Sequence, residues 1–411
     1  MAFTYKHTRA ACRLGNVCLA LTNNLPPLLF IIFRTDYGLS YEQLGRLVLL
    51  NFAIQIAVDF ACAKYIDRIG YRRPMMLAYA CCTAGFLTLA GAPMLPIPIY
   101  PALAAGVMIA AVGGGLQEVM LSPISDALPA QTEKKAANMA LLHSFYCWGW
   151  MGVVLLSTLF LAAFGNARWQ VLAVLWTALP VTNFILFAKV PYAPALPHDN
   201  LMGVKKLFIT PIFWVAMVLM VCAGASELAV AQWVSLFAEQ GLGLSKLAGD
   251  LAGPMMFAVT MGIGRTLYGI FGDKIKLMPA LAASAALCVI SYFIIAFAPR
   301  PAFSLVGCAL VGFAISLMWP GLLSLTAAKL PMGGTAMFAV LAMSGGAGCA
   351  AGPWLTGFVA DLSQKSGTVG EVGAAILGHG ESGLKLGILA AVIFPAAMLA
   401  ILPLFGRKSA I

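Results

Sequence analysis

YIDRIGYRR, residues Tyr65 to Arg73, stands between two long apolar runs, and GIFGDKIK, Gly269 to Lys276, repeats its pattern about half a chain later. Each copy has an acid followed by a base, Asp67-Arg68 in one and Asp273-Lys274 in the other. A charged turn that recurs after half of 411 residues, each time between hydrophobic runs, points to a duplicated membrane bundle. Duplicated bundles of this kind build many secondary carriers.

Composition says why the bundle must lie in a bilayer. The chain is 61% hydrophobic and only 10% charged, with a mean hydropathy of +0.92. Soluble domains carry about 25% charged residues, so this chain cannot cover itself with polar surface. Apolar runs recur along its length, each about the 20 residues that a helix needs to cross the hydrocarbon core. The net charge of +10 sits in short loops between these runs, which excludes a nucleic-acid patch and suits a role in orientation. Ten cysteines lie in or beside the apolar runs without a CxxC pair, so neither zinc nor a disulfide framework is indicated. The basic N-terminal stretch resembles a signal peptide, but the following run is too long and lacks a cleavage site. It reads as a retained first helix.

Twelve spans are expected, near 11–33, 44–66, 74–92, 97–126, 136–164, 168–189, 211–240, 247–271, 277–297, 301–328, 335–362 and 382–405. They group as a bundle over 1–190, a Pro-containing linker over 191–210 and a second bundle over 211–411. With the N-terminus inside, 17 of 25 basic residues fall on the cytoplasmic side, seven fall outside, and Arg265 lies within a span. That bias puts both termini in the cytoplasm of a cell membrane crossed many times. No loop is long enough for a soluble module, and no GxxxxGK[ST] loop occurs, which excludes an ATP-driven pump.

Six plus six helices, a central linker and DRxGxRR after the second span together resemble the major facilitator superfamily over the whole chain. The resemblance implies an all-α membrane fold of two pseudo-symmetric six-helix bundles and a working monomer. It also implies that the charged turn braces the cytoplasmic gate. Asp67, Arg68, Gly70, Arg72, Arg73 and Asp126 would form that brace in the first half, with Gly269, Asp273 and Lys274 in the second. The glycine that usually leads the first copy is Ala63 here, whereas Gly269 fits.

In the fourth span, GGGLQEVMLSP places Glu118 four and five residues before Ser122 and Pro123. This is similar to the fucose:proton symporter branch of the superfamily, as are LLHSFYCWGW in span 5 and SELAVAQW in span 7. That branch's acid in span 1 has no counterpart, because TNNLPPLL offers Asn23 and Asn24.

Charges at bilayer depth cost about 2.5–3.5 kcal/mol each on insertion scales, so those present are functional or structural candidates. Glu118 follows three glycines and is the leading candidate to load and release a proton. His143 is a relay or hydroxyl-binding candidate, against a packed neutral imidazole. Glu227, with Gln232 and Trp233, offers the acceptor, amide and flat ring that bind a polyol. Glu118, His143 and Glu227 are thus the proton-coupling set. Asn23, Asn24, Gln117, Glu118, His143, Glu227, Gln232 and Trp233 are the substrate-binding set. Asp59 and Arg265 are repeat-equivalent but opposite in sign, and read first as structural.

The expectation is a secondary carrier that moves a small polar solute, first a sugar or sugar-like compound, with protons. Its partners are that solute, protons and the lipid bilayer, with no nucleic acid, cofactor or metal. A proton-driven exporter of amphiphilic compounds and an organic-anion carrier using Arg265 remain open. A transport-dead receptor needs no paired gate. An enzyme is disfavoured because HExxH, GxSxG and paired intramembrane aspartates are absent from the sequence.

Overall fold

The computed structural model describes residues 3–39, 41–129, 132–193, 201–234, 246–365 and 382–406, with a few positions between 368 and 377. All regular structure among them is helical. The first six spans are α1 (Tyr5–Leu28, resumed as Phe30–Tyr37), α2 (Tyr41–Ile69), α3 (Arg72–Gly91), α4 (Ile99–Ala127), α5 (Thr132–Phe164) and α6 (Trp169–Trp176 and Ala178–Lys189). After a short helix at Val204–Ile209 come α7 (Pro211–Ala231), α8 (Met256–Phe271, preceded by Lys246–Asp250 and a π turn at Leu251–Met255) and α9 (Leu277–Phe297). The last three are α10 (Pro301–Ile315 and Met318–Lys329), α11 (Gly334–Lys365) and α12 (Ser382–Ala390 and Ile393–Gly406).

Eleven of these spans are long and apolar enough to cross a membrane among the described residues. The exception is α1, which begins with Lys6, Arg9 and Arg13 and carries Asn16, Asn23 and Asn24 further on. The breaks in the helices follow proline chemistry. Proline has no N–H for the carbonyl four residues earlier, so Pro26-Pro27, Pro180 and Pro320 interrupt α1, α6 and α10. Pro254 lies in the π turn of α8. Of the expected seventh span, 211–240, Pro211–Ala231 is helix; residues 235–245 and most of the 363–381 loop lie outside the described residues.

The chain forms two compact units, Met1–Leu207 with Leu330–Met343, and Phe208–Lys329 with Ser344–Ile411. In the first, Trp169 meets Phe33 edge-on at 5.2 Å amid Leu21, Leu25, Phe86 and Leu89. Helices α3 and α4 touch through glycine: a Cβ at Gly85 would meet the backbone of Ala110, and one at Gly113 would meet Ala78 and Cys82. Small residues let spans approach this closely in lipid, where packing and polar contacts replace the hydrophobic effect as the driving force. The Leu330–Met343 stretch is tied into this unit by Tyr71 Oη to Thr335 Oγ1 (2.6 Å) and by the Met202 N–H to the Met332 carbonyl (2.7 Å).

The second unit uses the same device. Gly348 and Gly352 of α11 lie against Val221 and Ala225 of α7, so the glycine-rich run of α11 is spent on packing within this unit. Tyr292 of α9 donates to the Ser226 carbonyl of α7 at 2.8 Å.

Candidate functional site

In the first unit the polar groups gather where α1, α2 and α4 meet. Residues four apart on a helix share a face, so Asn51, Gln55 and Asp59 form one polar stripe along α2. All three are buried, at 7%, 3% and 2% exposure. Gly114 and Gly115 of α4 make the room: a Cβ at 114 would come within 3.1 Å of Gln55 Nε2, and one at 115 within 3.0 Å of Val58 Cβ. Asn23 Oδ1 of α1 accepts from Gln55 Nε2 (2.7 Å) and from Asn51 Nδ2 (3.3 Å). One turn further along the stripe, Asp59 Oδ1 is buried without a hydrogen-bond partner among the described residues. The helix packed on this part of α2 through Gly114 and Gly115 is α4, which carries Glu118 about one turn further on.

Around this centre the remaining candidates part company. His143 Nε2 of α5 lies 3.0 Å from Ser122 Oγ, one turn beyond Glu118 on α4. Gln117 is fully buried on another face of α4, donating to Cys82 Sγ of α3 and to the Gly113 carbonyl, both at 3.0 Å. Asn24 donates to the Ala20 carbonyl of its own helix at 2.8 Å. The two neighbouring asparagines therefore do different things, one joining helices and the other satisfying local backbone. Pro26 and Pro27 also leave the carbonyls of Thr22 and Asn23 without helical donors.

In the second unit the centre is an ion pair. Arg265 Nη2 of α8 stands 3.8 Å from Glu227 Oε2 of α7, with the side chains 4% and 14% exposed. Arg265 Nε also donates to the Ser316 carbonyl at 2.9 Å. That carbonyl lost its helical partner because position 320 is proline, so the guanidinium closes the break in α10. Trp233 donates to the Pro353 carbonyl at 3.3 Å and packs on Gly357 of α11, while Gln232 is exposed at the end of α7.

At the first charged turn Gly70 takes φ +78°, the left-handed conformation that lets α2 reverse into α3. Arg72 donates to the carbonyls of Ala188 and Val190 and lies 5.0 Å over the Tyr192 ring, capping the end of α6. Arg73 is exposed, and Asp126 pairs with Lys135 at 3.7 Å. The side chains of Ala63, Asp67 and Arg68 lie outside the described ones. In the second turn Gly269 lies in the last turn of α8, which ends at Phe271, and Asp273 and Lys274 are exposed in a short 3-10 turn.

Asn51 and Gln55 are the residues that sequence reasoning missed. Their signal was present as three polar residues at fourfold spacing in an apolar run, ending at Asp59.

The sequence model of the Major Facilitator Superfamily matches residues 14–353. No curated protein matches this chain. Among solved structures, the chain is similar to the E. coli fucose:proton symporter FucP in the outward conformation, with 16% identity, a TM-score of 0.75, and 97% and 99% of the two chains covered. It is also similar to the proton:xylose symporter XylE bound to 6-bromo-6-deoxy-D-glucose (14%, TM-score 0.76, 97% and 95% covered). A third is the human organic anion transporter MFSD10 (15%, TM-score 0.68, 97% and 99% covered). At these identities the structural likeness establishes the fold, while the family match covers most of the chain. The protein belongs to the major facilitator superfamily and is a multi-pass membrane transporter.

Proposed function

We propose that this transporter moves a small, neutral, sugar-like solute together with protons by alternating access. The observation that carries the reading is the pair of carboxyls, Asp59 and Glu118, set on touching helices in the membrane-spanning part of the first unit. Acids on neighbouring buried faces offer sites where a proton can be taken up and released within the membrane, which is what coupling to a proton gradient requires. Glu118 is the coupling residue, His143 and Glu227 are further proton sites, and in the first unit Asn23 and Glu118 are solute-binding residues. The likeness to two proton-coupled sugar symporters supports the same direction.

The excess of basic residues in one set of loops supports a cell-membrane protein with both termini in the cytoplasm. The halves 1–190 and 211–411 are the moving parts, and the working form is a monomer in the bilayer. Arg265 is already engaged by Glu227 and by the Ser316 carbonyl, so an anionic solute would have to displace a carboxylate from it.

The test is uptake of a solute panel into reconstituted vesicles under an imposed pH gradient, comparing wild type with Glu118→Gln. The expected result is accumulation of a neutral sugar that follows the gradient and is lost in the variant. Uptake of only organic anions, or gradient-driven uptake that survives Glu118→Gln intact, would refute the reading.

A further inference from the structure

We propose that Asn23, Asn51 and Gln55 form a subsite that reads the hydroxyl groups of a neutral polyhydroxylated solute. This rests on the sugar-transport reading above and adds Asn51 and Gln55 of α2, which that reading did not use.

The argument is one of hydrogen-bond capacity. Three side-chain amides bring three acceptor oxygens and three NH2 groups together. Only one oxygen is used, Asn23 Oδ1, and it takes both Gln55 Nε2 and Asn51 Nδ2. Asn23 Nδ2, Asn51 Oδ1 and Gln55 Oε1 have no hydrogen-bond partner among the described residues. None of the three is among the fully buried atoms left without a partner, so each is reachable from open space, where a ligand can satisfy it, and is not sealed in the interior, where an idle polar group is costly. Asn51 and Gln55 are more than nine-tenths buried, and Asn23 is the more open member.

What the cluster offers is one idle donor and two idle acceptors. A hydroxyl is both donor and acceptor, so adjacent hydroxyls of one sugar can satisfy both kinds at once. Charge narrows the ligand class. The ionisable group next along the same face of α2 is Asp59, and α4, which packs on α2 at Gly114 and Gly115, carries Glu118. Both are acids, so an anion entering this face would meet carboxyls and no described counter-charge in the cluster. The absence of a side chain at Gly114 is what leaves Gln55 room to reach Asn23, since a Cβ there would press on Gln55 Nε2.

The experiment measures equilibrium binding of neutral monosaccharides, and of analogues each lacking one hydroxyl, to the purified full-length protein. Wild type is compared with Gln55→Met and Asn51→Leu, which keep side-chain size but remove the amide. In wild type, deleting the hydroxyl that the subsite reads should weaken binding about tenfold, the scale of one lost hydrogen bond. In each variant the parent sugar should weaken to the level of that deoxy analogue, and the discrimination at that hydroxyl should vanish. If one variant does not fold, the other carries the comparison, because each amide is deleted separately.

Variants that weaken every sugar equally, or that keep the full discrimination at every hydroxyl, overturn the subsite while the transport reading stands. Binding of amines or organic anions by wild type, with no neutral monosaccharide bound, overturns both.

Discussion

Arg265 Nε donates to the Ser316 carbonyl at 2.9 Å, across a break in α10 that Pro320 creates four residues downstream. A basic residue buried in a span thus has a structural partner as well as its ion pair with Glu227. Replacing Arg265 by Met should lower stability by about 3 kcal/mol, since it strands both a buried carboxylate and a backbone acceptor. Adding Pro320→Ala should return about 1 kcal/mol of that, because alanine restores the N–H that Ser316 lacks. Thermal unfolding of the two variants in detergent measures this. No recovery in the double variant would mean that the carbonyl was not the reason for the arginine.

The Glu227–Arg265 pair also separates two kinds of cargo. Glu227→Gln removes the carboxylate that a ligand anion would have to displace from Arg265. The sugar reading predicts weaker neutral-sugar uptake and no gain in organic-anion uptake. Saturable anion uptake appearing only in the variant would favour an anion carrier.

Helix contact at Gly115 is tight enough to test by a single methyl group. Gly115→Ala places a Cβ at 3.0 Å from Val58 Cβ and 3.1 Å from the Gln55 backbone. Overpacking of this kind costs about 1–3 kcal/mol, and forcing α2 from α4 should also impair transport through Asp59 and Glu118. Gly152→Ala is the control, since a Cβ there meets nothing within 4 Å. Its unfolding temperature should stay level or rise.

Arg72 should behave as a cap on α6. Arg72→Lys keeps the charge but loses the planar fork that serves Ala188 and Val190 and stacks on Tyr192. The expected loss is about 1 kcal/mol, the scale of one exposed cation–π contact. In a double-mutant cycle with Tyr192→Ala the two losses should fail to add, and full additivity would separate the residues.

The membrane class, the number of spans and the family were legible in one dimension, because hydropathy and repeated motifs need no knowledge of neighbours. The broken helices were half legible. Pro26-Pro27 announces the break in α1, yet nothing in the sequence says that Arg265 will close the one at Pro320. Side-chain partners were not legible. That His143 Nε2 comes within 3.0 Å of Ser122, one turn beyond Glu118 on α4, could not be read from spacing alone. Asn23 and Asn24 were equivalent on paper, but helix rotation turns one toward α2 and the other back onto Ala20.

The duplicated charged turn by itself therefore determined that this chain is a two-fold repeated membrane carrier, since apolar length and loop charge suffice for that. Tertiary structure alone decided that Asn51 and Gln55 join Asn23, that the helix of Asp59 packs on the helix of Glu118, and that Arg265 meets Glu227. Those meetings depend on how each helix is rotated and how closely glycines let it approach, and neither quantity is written in hydropathy.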